Sequence, residues 1–158
     1  AWYAYYVRRS TTTTMSPDAI HALGEREVRR IWDEMETVRR EVKFDGDLPA
    51  FFRHLQDDPR FYYTRPEDLL GGFRDLQTRI NGLLPKLFDI APKADYRVQE
   101  VEAFRAASSE GATYMPPAAD GSRPGIFYVN TYNLKAQPTY GMETLSLHEA
   151  SPGHHFQG

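Results

Sequence analysis

The sequence predicts an α+β chain that is mainly α: long helices, then a small antiparallel sheet, then a last helix that carries the chemistry. Three observations predict it. Apolar residues recur at alternating steps of three and four from Ile20 to Val42, and at helical spacing again from Leu69 to Leu87, which marks one buried face on each helix. After Ala91-Pro92 the texture changes to short alternating runs separated by turn residues, the pattern of strands. The stretch His148 to Gly158 places three histidines and a carboxylate within eight positions, the densest titratable cluster in the chain.

Taken in order, the aromatic run in residues 1–7 reads as the end of a buried helix, interrupted by Thr11 to Thr14. Ser16 is an N-cap, followed by Pro17 at the first helical position and Asp18 in the first turn, so a long helix starts there. Its core face carries Ile20, Gly24, Val28, Ile31, Met35, Val38 and Val42, with the Glu and Arg residues mainly on the other side. Asp47 caps a short helix through Gln56, which Asp58-Pro59 ends. Thr64, Pro66 and Glu67 resemble a capping box, opening a helix to about Phe88 that Pro85 kinks.

Tyr96 to Val101, Ala112 to Met115 and Gly125 to Asn130 are the predicted strands. Asp120-Gly121-Ser122-Arg123-Pro124 joins the last two as an antiparallel hairpin. Pro138 opens the last helix, with Glu143 near its positive end.

At 158 residues with 41% apolar and 13% aromatic residues, the chain can bury one core, so a single domain is expected: a helical part over 1–90, then the sheet and motif helix over 91–158. It begins with Ala and stops three residues past the final motif histidine, which reads as a segment truncated at both ends, its missing partner the remainder of its own polypeptide. A net charge of −3 with both signs interspersed gives no reason to expect nucleic acid. No apolar run is long enough for a transmembrane segment. With no cysteine, disulfides, thiol catalysis and thiolate-bound zinc are excluded, so any metal takes histidine and carboxylate ligands.

A His-Glu pair on a helix with a further His is the minimal zinc hydrolase constellation: two imidazoles bind the metal, and the Glu takes a proton from the water the metal activates. The usual spacing puts the second His at i+4, where this chain has Pro152. At ~100° and 1.5 Å per residue, His154 would point ~120° away from His148, and His155 would be aligned but ~10 Å further along. Convergence therefore requires a break in the helix. Pro152 removes the donor to the His148 carbonyl and Gly153 tolerates almost any backbone angle, so the break is predicted between Ala150 and Gly153.

The pattern His-Glu-x-x-Pro-Gly-His-His-x-Gln resembles that of the bacterial family known as domain of unknown function 885, which is similar to mainly helical zinc peptidases. Ser16 to Val28 and Asp120 to Thr131 carry the resemblance upstream. The resemblance implies zinc as cofactor, His148 and His154 as metal ligands, Glu149 as general base, and a third ligand, a Glu, downstream of Gly158. His155 is the alternative ligand or an oxyanion stabiliser. It further implies a peptide substrate held by strand addition on an edge strand beside the metal helix, for which Tyr128, Val129, Asn130 and Thr131 are the candidates; an ordinary core strand is the other reading. A bacterial envelope or periplasmic location is favoured over the cytoplasm. A catalytically inactive scaffold or peptide-binding protein of the envelope is the alternative function.

Overall fold

The computed structural model describes residues 2–157, which fall into two compact units divided between Leu55 and Gln56. In the first unit, α1 (Trp2–Thr11) precedes α2 (Pro17–Glu41), which starts as expected: the Ser16 side chain accepts from the Ala19 N–H, and Pro17 occupies the first turn. Asp47 Oδ1 likewise accepts from the Ala50 N–H at the start of α3 (Leu48–Asp57). Trp32 meets Phe52 edge-on at 6.1 Å and Phe44 tilts against Phe51 at 5.2 Å.

The apolar stripe of α2 departs from expectation. No residue of α1 or α2 is buried, and Val28 and Val42 are 64% and 58% exposed. Helical periodicity reports which side chains share a face; burial needs a second surface against that face, and only part of α2 finds one in α3. The aromatic run of α1 is exposed for the same reason.

The second unit holds the core. Its first helix, α4 (Pro66–Asn81), buries Leu69, Leu70, Phe73 and Ile80. It ends at Asn81 instead of running to Phe88: Leu84–Lys86 is a 3₁₀ turn containing Pro85, and Leu83 and Leu87 are exposed. A proline ring in a helix interior collides with the preceding turn, so termination replaces the expected kink. The expected capping box is also absent, because the residue before the helix is Arg65, which makes no side-chain cap.

Three strands follow: β1 (Tyr96–Glu100), β2 (Ala112–Met115) and β3 (Gly125–Val129). The sheet order is β1-β3-β2. β2 and β3 pair antiparallel, Ala112 opposite Val129 through Met115 opposite Ile126, as the turn residues predict. The sheet is nevertheless mixed, because β1 runs parallel to β3, Tyr96 opposite Gly125 through Glu100 opposite Val129. The parallel pair needs a crossover, and the crossover contains β2 and a four-residue helix, α5 (Ala103–Ala106), too short to show a period in the sequence.

α4 and α6 (Met142–Glu149) pack on one face of the sheet, joining Leu69, Phe73, Tyr96, Val98, Phe127, Val129 and Met142 in one core, with Phe73 meeting Phe127 edge-on at 5.2 Å. Val101, Ala106, Ile126 and Tyr128 form a second cluster on the other face. β3 is therefore buried along its whole length.

These burials set opposite expectations for two otherwise similar substitutions. Phe73 is 1% exposed, and Phe73→Asp removes a core ring and buries a charge, which should cost more than ~3 kcal/mol and unfold or aggregate the protein. Val28→Asp, at an exposed position, should change stability by about 0.5 kcal/mol or less. Thermal unfolding of the two variants checks this, and equal destabilisation would contradict the burial pattern.

Candidate metal centre

The motif begins on α6, which stops at Glu149; a second short helix, α7 (Gly153–Gln157), starts four residues later. Between them Ala150 leaves the helical region with φ −104° and ψ −107°, the Ser151-Pro152 peptide is cis, and the His155 N–H returns to the Ala150 carbonyl at 3.0 Å. The break thus lies where the sequence predicts it, as a corner between two helices.

Gly153 makes that corner close. A Cβ built on it would lie 1.8 Å from the His148 carbonyl oxygen and 2.6 Å from that of Leu147. Both obstacles are backbone, which cannot swing aside, so only glycine lets α7 fold onto the end of α6.

The corner brings back the residue that a straight helix would send away. The His148 and His154 rings stand 5.1 Å apart at 80°, with Glu149 between them: its carboxylate lies 3.9 Å from His148 Nε2 and 3.8 Å from His154 Nε2. One ligand atom from each of the three lies within 4.8 Å of the others. The two imidazoles are nitrogen donors of the kind that zinc takes, with the carboxylate beside them, so the residues fit such an ion by type. His154 Nδ1 is 3.1 Å from Gln157 Oε1. An amide oxygen only accepts, so in the tautomer that makes this bond Nδ1 carries the proton and Nε2, the nitrogen facing Glu149, has its lone pair free.

His155 faces elsewhere. Its side chain is buried against Tyr96 and Tyr114, ring centroids 5.1 and 5.8 Å away, and Nδ1 lies 2.6 Å from the Tyr114 hydroxyl. Burial pushes its pKa below the ordinary imidazole value, against the opposing influence of the Asp95 carboxylate and a hydrogen bond to the Ala94 backbone. His155 thus shares a hydrogen bond with Tyr114 and is outside the His148, Glu149 and His154 cluster.

The strand candidates are also placed differently from the resemblance. Tyr128 and Val129 lie on the central strand with neighbours on both sides, so no peptide can add along β3. Tyr128 packs under the Arg105 guanidinium, 4.8 Å from its ring centroid. The Asn130 amide donates to the Ala106 and Ser109 carbonyls while its oxygen accepts from the Tyr132 N–H, and Thr131 Oγ1 bonds the Glu100 carboxylate. The edge strand beside the motif is β2 instead: a cleft of about 450 Å³ is lined by Glu110, Thr113, Tyr114, Pro116, Glu149, His154 and Gln157. Nothing in the local sequence marks Thr113 or Tyr114, because edge or centre is decided by strand order.

The close approach at Gly153 is testable by stability. Gly153→Ala must push the two helices apart and should cost ~1–3 kcal/mol or more. Gly24→Ala in α2, where an added Cβ meets nothing within 4 Å, should instead stabilise by ~0.4–1 kcal/mol. Melting curves that shift the same way for both would remove the steric explanation of the corner.

A solved structure of a protein from Colwellia psychrerythraea, provisionally described as a lipoprotein, is 30% identical to this chain and superimposes with a TM-score of 0.89. The match covers 99% of this chain and 28% of that one, so this chain spans less than a third of that protein's length. No curated protein matches the sequence. Residues 1–158 match throughout the family described as bacterial protein of unknown function, DUF885, and the chain belongs to that family.

Proposed function

We propose that this chain contributes two metal ligands and the general base of a zinc-dependent amide hydrolase, most simply a peptidase. The observation that carries the reading is the return of His154 to His148 across a corner that regular helix geometry forbids, with Glu149 between them. His148 and His154 would hold the ion, which supplies Lewis acidity and lowers the pKa of water. Glu149, whose side chain is 18% exposed, would accept the proton of the attacking water. The cleft beside it is bounded by β2, whose outer edge pairs with no strand among the described residues.

An extended peptide would bind there through main-chain hydrogen bonds. The alternating pattern of an antiparallel pair gives the donors: the Asn130 N–H bonds the Gly111 carbonyl, so Gly111 and Thr113 face β3 while Ala112 and Tyr114 turn their N–H and C=O groups outward. Catalytic zinc sites use three protein ligands, so the third is assigned to polypeptide outside residues 1–158. The lipoprotein description of the Colwellia protein supports an envelope location for this one. No helix of the described residues is long and apolar enough to cross a membrane.

The whole protein should bind one zinc and cleave peptides in a chelator-sensitive reaction. Glu149→Gln should keep the metal and lose at least ~10²-fold in rate, as expected for removing a general base. Residues 1–158 alone should bind zinc weakly and hydrolyse nothing. Metal analysis beside a peptide-cleavage assay checks all three. Stoichiometric zinc without cleavage would favour a peptide-binding role, and absence of zinc from the whole protein would overturn the metal reading.

A further inference from the structure

We propose that Tyr114 is a positioning residue of this site: its hydroxyl latches α7 to the sheet through His155 and thereby fixes the direction in which His154 points. His154 and His155 are adjacent on a helix of five residues, so their side chains diverge by ~100° and one cannot turn without the other. His155 faces the sheet and is 8% exposed, whereas His154 faces the cleft with 43% of its side chain exposed. A helix this short has almost no stability of its own. Besides its close packing on the end of α6, what holds it is the 2.6 Å Tyr114–His155 hydrogen bond, the packing of His155 on Tyr96, and the contact of Phe156 with Phe88, ring centroids 5.0 Å apart.

The latch is built from three strands. Tyr114 stands on β2, and its ring crosses β3 over Gly125, where an added Cβ would meet the Tyr114 hydroxyl oxygen at 2.1 Å. Gly125 therefore clears the path by which the phenol reaches His155. Tyr96 on β1 closes the far side, 6.3 Å from Tyr114 between ring centroids. Tyr114 also lines the cleft that holds Glu149 and His154, so a peptide laid along β2 would lie against the residue that aims the ligand. Ligand-orienting groups of this kind commonly change metal affinity by about 10–100-fold when removed.

The metal arm of the test rests on the zinc reading above; the exchange arm does not. In the metal-free whole protein, Tyr114→Phe should speed amide hydrogen exchange over Gly153–Gln157 about tenfold, the loss expected when a buried imidazole nitrogen loses its partner, with β1 and β3 unchanged. In the same variant zinc affinity should fall about 10–100-fold, and the visible spectrum of the cobalt-substituted site should change, which a loss of general stability would not produce. Gly125→Ala should act alike without altering either bonded group, because the phenol tip must move. Tyr114→Phe and His155→Phe together should cost no more than the worse of the two alone. Unchanged α7 exchange in Tyr114→Phe, or additive effects in the double variant, would overturn the latch. A wild type that takes no zinc would overturn the metal reading, while α7 exchange still decides the latch.

Discussion

The candidate centre depends on a close approach of backbone to backbone. Where α7 meets the end of α6, the Gly153 Cα lies so near the His148 carbonyl that a methyl group would sit inside it. Everything else about the motif follows from this contact. Without it the chain after Glu149 would leave along a wider path, and a histidine six positions after His148 would point to another side of the helix. With it, His154 returns beside His148, because the corner replaces the missing turn of helix. The Pro152 ring, lacking an N–H, removes the bond that would have competed with the corner.

The corner would be soft on its own, and the sheet stiffens it. β3 sits between its two neighbours with α4 and α6 on one face and α5 on the other, which makes it the rigid element of the second unit. A buried polar network anchors the same region: Gln137 donates to the Gly111 and Asn130 carbonyls, and Asn130 donates to Ala106 and Ser109. These bonds fall on backbone carbonyls at the ends of β2, β3 and α5 and tie those elements together. The edge strand facing the cleft is thereby held in place while its outer backbone stays unpaired by any strand.

The two units show the limits of periodicity from opposite sides. In α4 the stripe Leu69, Phe73, Leu76 and Ile80 is packed on the core because the sheet stands opposite it. In α2 an equally regular stripe remains largely exposed, Val28 more than half so, because the pattern names a face and not its cover. The strands behave the same way. All three are legible from alternation and turn residues, but alternation is blind to neighbours, so it could not say that β1 enters parallel to β3 or that β3 is the centre and β2 an edge.

What the sequence by itself determined about this protein is local: the mainly helical α+β class, the Ser16 and Asp47 caps, the three strand segments, the break at Pro152-Gly153, and the grouping of His148, Glu149, His154 and His155 as candidate site residues. Each rests on groups within a few residues of one another, where the covalent chain dictates what can meet. The tertiary structure alone decided the strand order, the burial of Tyr128 to Asn130 inside the sheet, the exposure of the α2 stripe, and the turning of His155 away from its neighbour to Tyr114, 41 positions distant. Those outcomes depend on which surfaces find each other across long loops, and no side chain carries a local mark of a partner it reaches only after folding.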